Sequence, residues 1–180
     1  MIDRRALVAA LGLAPVVLPR LARAADAHDF AFEGIDGDRV DLATYAGRPV
    51  LVVNTASRCS FTYQYEQLQA LYDRHRDAGL VVLGVPSQDF RQELGSEEAV
   101  KEFCAVNFAI DFPMTAITPV IGGDAHPFYA WAAREAGRPR WNFHKYLVGP
   151  DGRIAGAWGS TVEPTSAEIE DAVRAALAAG

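Results

Sequence analysis

Cys59 is the residue whose surroundings point most directly to chemistry. It stands in Asn54-Thr55-Ala56-Ser57-Arg58-Cys59-Ser60-Phe61-Thr62, after an apolar run and before a segment of helical spacing. Sites in open α/β sheets gather at the carboxyl ends of strands. The free N–H groups and dipole of a helix N-terminus favour a thiolate there. Arg58 adds a positive charge beside it. A cysteine that is not reactive in this way packs as a small hydrophobe. No C-x-x-C surrounds Cys59, which argues against a dithiol oxidoreductase. The four histidines, at positions 28, 75, 126 and 144, have no metal-ligand spacing with either cysteine. The residues alone leave three chemistries open. They are a redox-active thiol enzyme, a non-catalytic thiol sensor or relay, and a Cys–His hydrolase using His126 or His144.

The elements needed to hold Cys59 can be read from periodicity. Phe30–Phe32 and Val40–Leu42 flank an Asp-Gly turn and predict a hairpin. Pro49–Asn54 and Leu80–Val85 are apolar runs of strand length, suited to burial on both faces. Between them, Tyr65, Leu68, Leu71 and Tyr72 predict a helix over Thr62–Asp77 that ends at Gly79. Ser96, followed by Glu97 and Glu98, predicts the start of a helix with Val100, Phe103 and Cys104 on its apolar stripe. A short helix is expected over Phe128–Ala136. A second hairpin pairs Tyr146–Val148 with Ile154–Trp158, and a last helix covers Thr165–Ala179. This is an α/β layer architecture with one β-α-β unit, no internal repeat and no second domain.

Composition narrows the function classes. The chain has 180 residues, half of them hydrophobic, and a net charge of −6. Without a basic run it is not expected to bind nucleic acid. Two cysteines cannot form a disulfide-rich scaffold, and no metal or cofactor is expected. Residues 1–25 read as a cleaved signal peptide. Arg4 and Arg5 precede the apolar stretch Ala6–Leu18, and Ala22-Arg23-Ala24 has the A-x-A pattern. Cleavage is expected after Ala24 or Ala25. Asp3-Arg4-Arg5-Ala6-Leu7 also has the look of a twin-arginine signal. The remaining domain, residues 26–180, carries 13 basic and 22 acidic residues. It is expected outside the cytoplasm, in the periplasm.

The Cys59 segment resembles the active-site strand and turn of glutathione peroxidases, N-V-A-S-x-C-G-x-T. The resemblance continues in order. Leu83–Phe90 is similar to L-G-F-P-x-N-Q-F, Gln92–Ser96 to Q-E-P-G-S, and Trp141–Val148 to W-N-F-x-K-F-L-V. It covers nearly all of the chain from residue 29. It implies a thioredoxin-like fold, a central mixed sheet flanked by helices with an N-terminal β-hairpin. It implies a thiol peroxidase acting on hydrogen peroxide and organic hydroperoxides. It also implies a catalytic tetrad of Cys59, Gln92, Trp141 and Asn142, in which the amides and the indole N–H stabilise the thiolate and the departing oxygen. Glu102–Phe108 resembles the resolving-cysteine segment E-x-F-C-x-x-N-Y of the thioredoxin-using branch. That implies a Cys59–Cys104 disulfide, reduced by a thioredoxin-like protein or glutathione. The short segment between Pro127 and Trp141 implies a monomer.

Four departures from the family pattern bear on the site. Ser60 stands for Gly, Gln88-Asp89 for Asn-Gln and Leu94 for Pro, and one residue fewer separates Phe90 from Gln92. Cys59 is expected to open one helix and Cys104, 45 residues later, to lie inside another. Disulfide formation then requires local unwinding over Ser96–Phe108.

Overall fold

The computed structural model describes residues 25–180; the expected signal peptide falls outside the described residues apart from Ala25. Two layers of helix enclose one sheet. A small antiparallel hairpin, β1 (Ala31–Glu33) with β2 (Arg39–Asp41), precedes it. The central sheet contains β3 (Val50–Thr55), β4 (Val81–Pro86), β5 (Lys145–Val148) and β6 (Ile154–Trp158) in the order β4-β3-β5-β6. β3 and β4 run parallel through the connecting helix α1 (Gln64–His75), whereas β3–β5 and β5–β6 are antiparallel. The sheet is therefore mixed, as expected. The other helices are α2 (Glu97–Phe108), α3 (Pro127–Ala136) and α4 (Ala167–Ala178).

The apolar runs form strands because both of their faces are covered. Leu51 and Val53 point into the core shared with α1, α2 and α4. Val50 and Val52 point the other way, towards the hairpin and α3. Ser96 caps α2 by accepting the Ala99 N–H on its hydroxyl. Gly79, at φ 112°, ends the α1 region in the left-handed conformation that glycine adopts without strain.

One expected boundary moves. The helix does not begin at Thr62, and Cys59 does not open it. Residues 57–63 form successive turns, closed by Thr62 N–H to Cys59 O (3.1 Å) and Gln64 N–H to Phe61 O (2.9 Å). α1 begins only at Gln64, whose side chain is wholly buried and anchors its first turn.

That anchor is Lys145, also wholly buried. Its Nζ donates to Gln64 Oε1 and to Val162 O, both at 2.6 Å. Burial pulls its pKa down from 10.5 to about 7, opposed by the negative charge of Glu163. Above pH 7 the unfolded chain then holds a proton that the folded chain gives up, so this residue favours folding increasingly as pH rises towards 10.5. We expect the stability difference between wild type and Lys145→Met to grow in favour of wild type from about pH 7 to 9 in urea titrations. Parallel curves would show that Lys145 keeps its proton throughout.

Candidate active site

Three chain segments meet at one edge of the sheet because of its topology. β3 and β4 are parallel, so the segments leaving them, from 56 and from 87, emerge together. β5 is antiparallel to β3, so the segment entering it, 141–144, arrives at the same edge. These segments carry Cys59, Gln92 and Trp141-Asn142 respectively.

Two buried polar side chains bind the segments to each other. Asn54, at the end of β3, donates from Nδ2 to Trp141 O (3.2 Å) and accepts the His144 N–H on Oδ1 (3.1 Å). Its backbone carbonyl accepts the Phe143 N–H at 2.6 Å. Glu93, 3% exposed, accepts the Ser57 and Leu94 N–H groups on Oε1, at 2.9 and 2.8 Å. Beside it, the Arg58 N–H donates to Gln92 O at 2.8 Å. Gln88 holds the Glu93 backbone at both its N–H and its carbonyl. Burial raises the Glu93 pKa, while the hydrogen bonds from Ser57 and Leu94 and the charge of Arg58 oppose the rise.

Arg91 stands immediately before Gln92. It adopts φ 58° and closes a turn by donating its N–H to Gln88 O at 2.8 Å. Gln92 still reaches the site, where Asn142 Nδ2 donates to its Oε1 at 3.0 Å. Phe143, next to Asn142, also has a positive φ of 61°. Left-handed backbone at residues that carry a Cβ is strained, and here it lies directly beside both amides.

Cys59 is 3% exposed, and the Phe61 N–H donates to its Sγ at 3.5 Å. Gln92 and Asn142 bond each other and make no hydrogen bond to the sulfur among the described residues. Trp141 is 39% exposed and packs its ring against Phe90, with centroids 5.3 Å apart. A groove of about 630 Å³ runs alongside, lined by Phe90, Ile121, Arg138, Arg140, Trp141 and His144. Neither arginine has a hydrogen bond or ion pair with another described residue.

Cys104 lies within intact α2, buried, in the same apolar cluster as Cys59, and both thiols are free. Burial pushes its pKa up from 9.0 to about 11; the Tyr65 hydroxyl opposes the rise and the Glu93 charge adds to it. The histidines do not form a pair with Cys59. His126 accepts the Phe128 N–H as the cap of α3, bonds Ala31 O and stacks on Phe32 at 4.0 Å. His144 packs against Tyr146, and burial pulls its pKa down to about 4. No group of three or more potential metal ligands occurs among the described residues.

The glutathione peroxidase family profile matches residues 27–133. The chain belongs to the glutathione peroxidase family. It is 38% identical over 149 residues to a glutathione peroxidase of Lactococcus lactis subsp. cremoris, covering 79% of this chain and 95% of that one. It is 37% identical over 147 residues to a glutathione peroxidase-like peroxiredoxin of Schizosaccharomyces pombe, covering 78% and 93%. The crystal structure of Trgpx in its apo form superimposes with a TM-score of 0.71 at 36% identity, over 87% of this chain and 97% of that one. The fold is thioredoxin-like, and the protein is a thiol peroxidase that reduces hydroperoxides.

Asn54 and Glu93 went unnoticed in the sequence reading. The signal for Asn54 was a polar residue ending an otherwise apolar strand. Glu93 had none beyond its place after Gln92. Replacing Asn54 with Leu keeps the volume but strands the Trp141 carbonyl and the His144 N–H. We expect a loss of about 2–4 kcal/mol in stability. The rate of Cys59 oxidation should fall with it, even at temperatures where the variant is folded. A stable variant with wild-type oxidation kinetics would remove Asn54 from the site.

Proposed function

We propose that Cys59 is the peroxidatic residue and Cys104 the resolving one. The observation that carries this reading is the convergence of the Cys59 turn with the bonded Gln92–Asn142 pair at one sheet edge. The Cys59 thiolate attacks the terminal oxygen of R–O–O–H. The S–O bond forms, the O–O bond breaks, and the departing oxygen takes a proton and leaves as water or an alcohol. Gln92, Asn142 and the Trp141 indole act as donors to the charge that develops on sulfur and oxygen. For that, the Gln92–Asn142 bond must open. Cys104 then displaces the sulfenic oxygen to form a disulfide, and a dithiol protein reduces it. The groove beside Trp141 offers Phe90, Ile121 and the indole to the organic part of a hydroperoxide, and its two arginines suit one with an anionic end.

The leader at residues 1–25 supports export to the periplasm. An intact mass beginning at Ala25 or Asp26 is expected for the exported protein, and a Met1 start contradicts it. The short connection into Trp141 supports a monomer, which sedimentation equilibrium checks.

Cys59→Ser is expected to abolish peroxide consumption, because a serine hydroxyl cannot replace the thiolate. Cys104→Ser is expected to keep the first oxidation of Cys59 and to lose turnover with thioredoxin as reductant. Residual turnover in Cys59→Ser overturns the assignment. Full thioredoxin-dependent turnover in Cys104→Ser returns Cys104 to a packing role.

A further inference from the structure

Resolution sets a problem in proton transfer. Cys104 is a buried thiol, and its burial disfavours the thiolate that must attack Cys59. A base has to take its proton, and an acid has to protonate the hydroxide that leaves Cys59. Two carboxylates are buried among the described residues, Glu93 and Glu170. Glu170 is engaged by Arg74 and by His75 Nε2 (2.8 Å) between α4 and α1. Glu93 has no ion-pair partner among the described residues. Its Oε1 is fixed on the Ser57 N–H, two residues before Cys59. Its Oε2 is buried without a hydrogen-bond partner. Thr55 Oγ1, Ser57 Oγ and Tyr65 Oη are buried without good partners as well. Tyr65 and Cys104 both lie within electrostatic reach of the Glu93 carboxyl. An unused carboxylate oxygen is therefore buried between the turn that carries one thiol and the helix that carries the other.

We propose that Glu93 is the proton carrier of the resolving step, taking the Cys104 proton and returning it to the oxygen that leaves Cys59. The inference rests on the Cys59–Cys104 reading given above. The step balances without any further reactant. The Glu93 carboxylate accepts the thiol proton, and the thiolate attacks the Cys59 sulfur. The S–S bond forms and the S–O bond breaks. The leaving hydroxide takes the proton from the Glu93 carboxylic acid, departs as water and restores the carboxylate. Oε1, bound to two N–H groups, keeps the carboxyl in place through the step.

The test separates the two half-reactions in Glu93→Gln, which retains an oxygen for the Ser57 and Leu94 N–H groups. Reduced protein is mixed with one equivalent of hydrogen peroxide. Sulfenic acid is trapped with dimedone, and disulfide is counted by mass after acid quench. We expect the first oxidation to change less than about threefold and disulfide formation to slow by at least about tenfold, within the range of general acid–base catalysis. The wild-type resolution rate should rise with pH as a carboxyl ionises, and the variant should lose that limb. The other titratable or charged groups facing Glu93 are Arg58 in the turn, Tyr65 on α1 and Cys104 on α2. Burial raises the pKa of both Tyr65 and Cys104, away from the acid range of that limb. Glu93→Asp, which restores a carboxyl, should recover part of the rate. Equal resolution rates in wild type and Glu93→Gln overturn the proposal, as does an Asp variant no faster than Gln. Wild type that forms no Cys59–Cys104 disulfide overturns the two-cysteine reading and this inference together.

Discussion

Every candidate site side chain of this protein depends on how buried backbone groups are satisfied where β3 and β4 end and β5 begins. A sheet satisfies its own N–H and carbonyl groups only along its ladders, and the chain leaving the edge must find other partners. Here Asn54 and Glu93 supply them. Asn54 extends the β3–β5 pairing by one side chain and holds Trp141 and His144. Glu93 does the same between the turn after β3 and the segment after β4. Removing either side chain leaves several partners unpaired at once, which is why a hydrophobic replacement of equal size is not neutral.

The same bonds store strain where it is useful. Arg91 and Phe143 occupy left-handed backbone without being glycine, and each adjoins one of the two amides. Such conformations persist only when the surroundings over-determine them. Around Arg91 these are the Gln88 contacts to 91 and 93 and the Gln92–Arg58 bond. Around Phe143 they are the bonds to Asn54. The backbone beside Gln92 and Asn142 is thus held by several bonds at once. Cys104, by contrast, is buried inside the intact helix α2. Ala109, itself at φ 50°, caps that helix through N–H bonds to Cys104 and Ala105. In the last turn of α2, Val106 faces solvent while Phe108 packs against Tyr65 and Phe103.

Much of the frame was legible before any coordinates. PVLVVN and LVVLGV are continuous apolar runs, and only strands buried on both faces use such runs at that length. Ser96 marked the start of α2 by its capping chemistry. The order of elements followed from these signals, and the family resemblance pointed to Cys59, Gln92, Trp141 and Asn142 as candidates. The start of α1 was misplaced because the apolar period begins at Tyr65, while the turns before it depend on local bonds to Cys59 O that leave no periodic trace. The roles of Asn54 and Glu93 were invisible because each depends on partners 36 to 90 residues away. The left-handed backbone at Arg91 was invisible for another reason: a positive φ at a residue other than glycine leaves no mark in the sequence.

The central claim is that this junction makes Cys59 a peroxide-reactive thiol rather than a buried structural one. The most direct measurement is the second-order rate of Cys59 oxidation. It is followed by stopped-flow in fully reduced protein mixed with hydrogen peroxide and with a fatty-acid hydroperoxide, with no reductant present. Free cysteine at the same pH serves as reference. Oxidation orders of magnitude faster than the reference, first order in hydroperoxide and consuming one equivalent per Cys59, is the predicted result. A rate no greater than that of free cysteine would contradict it.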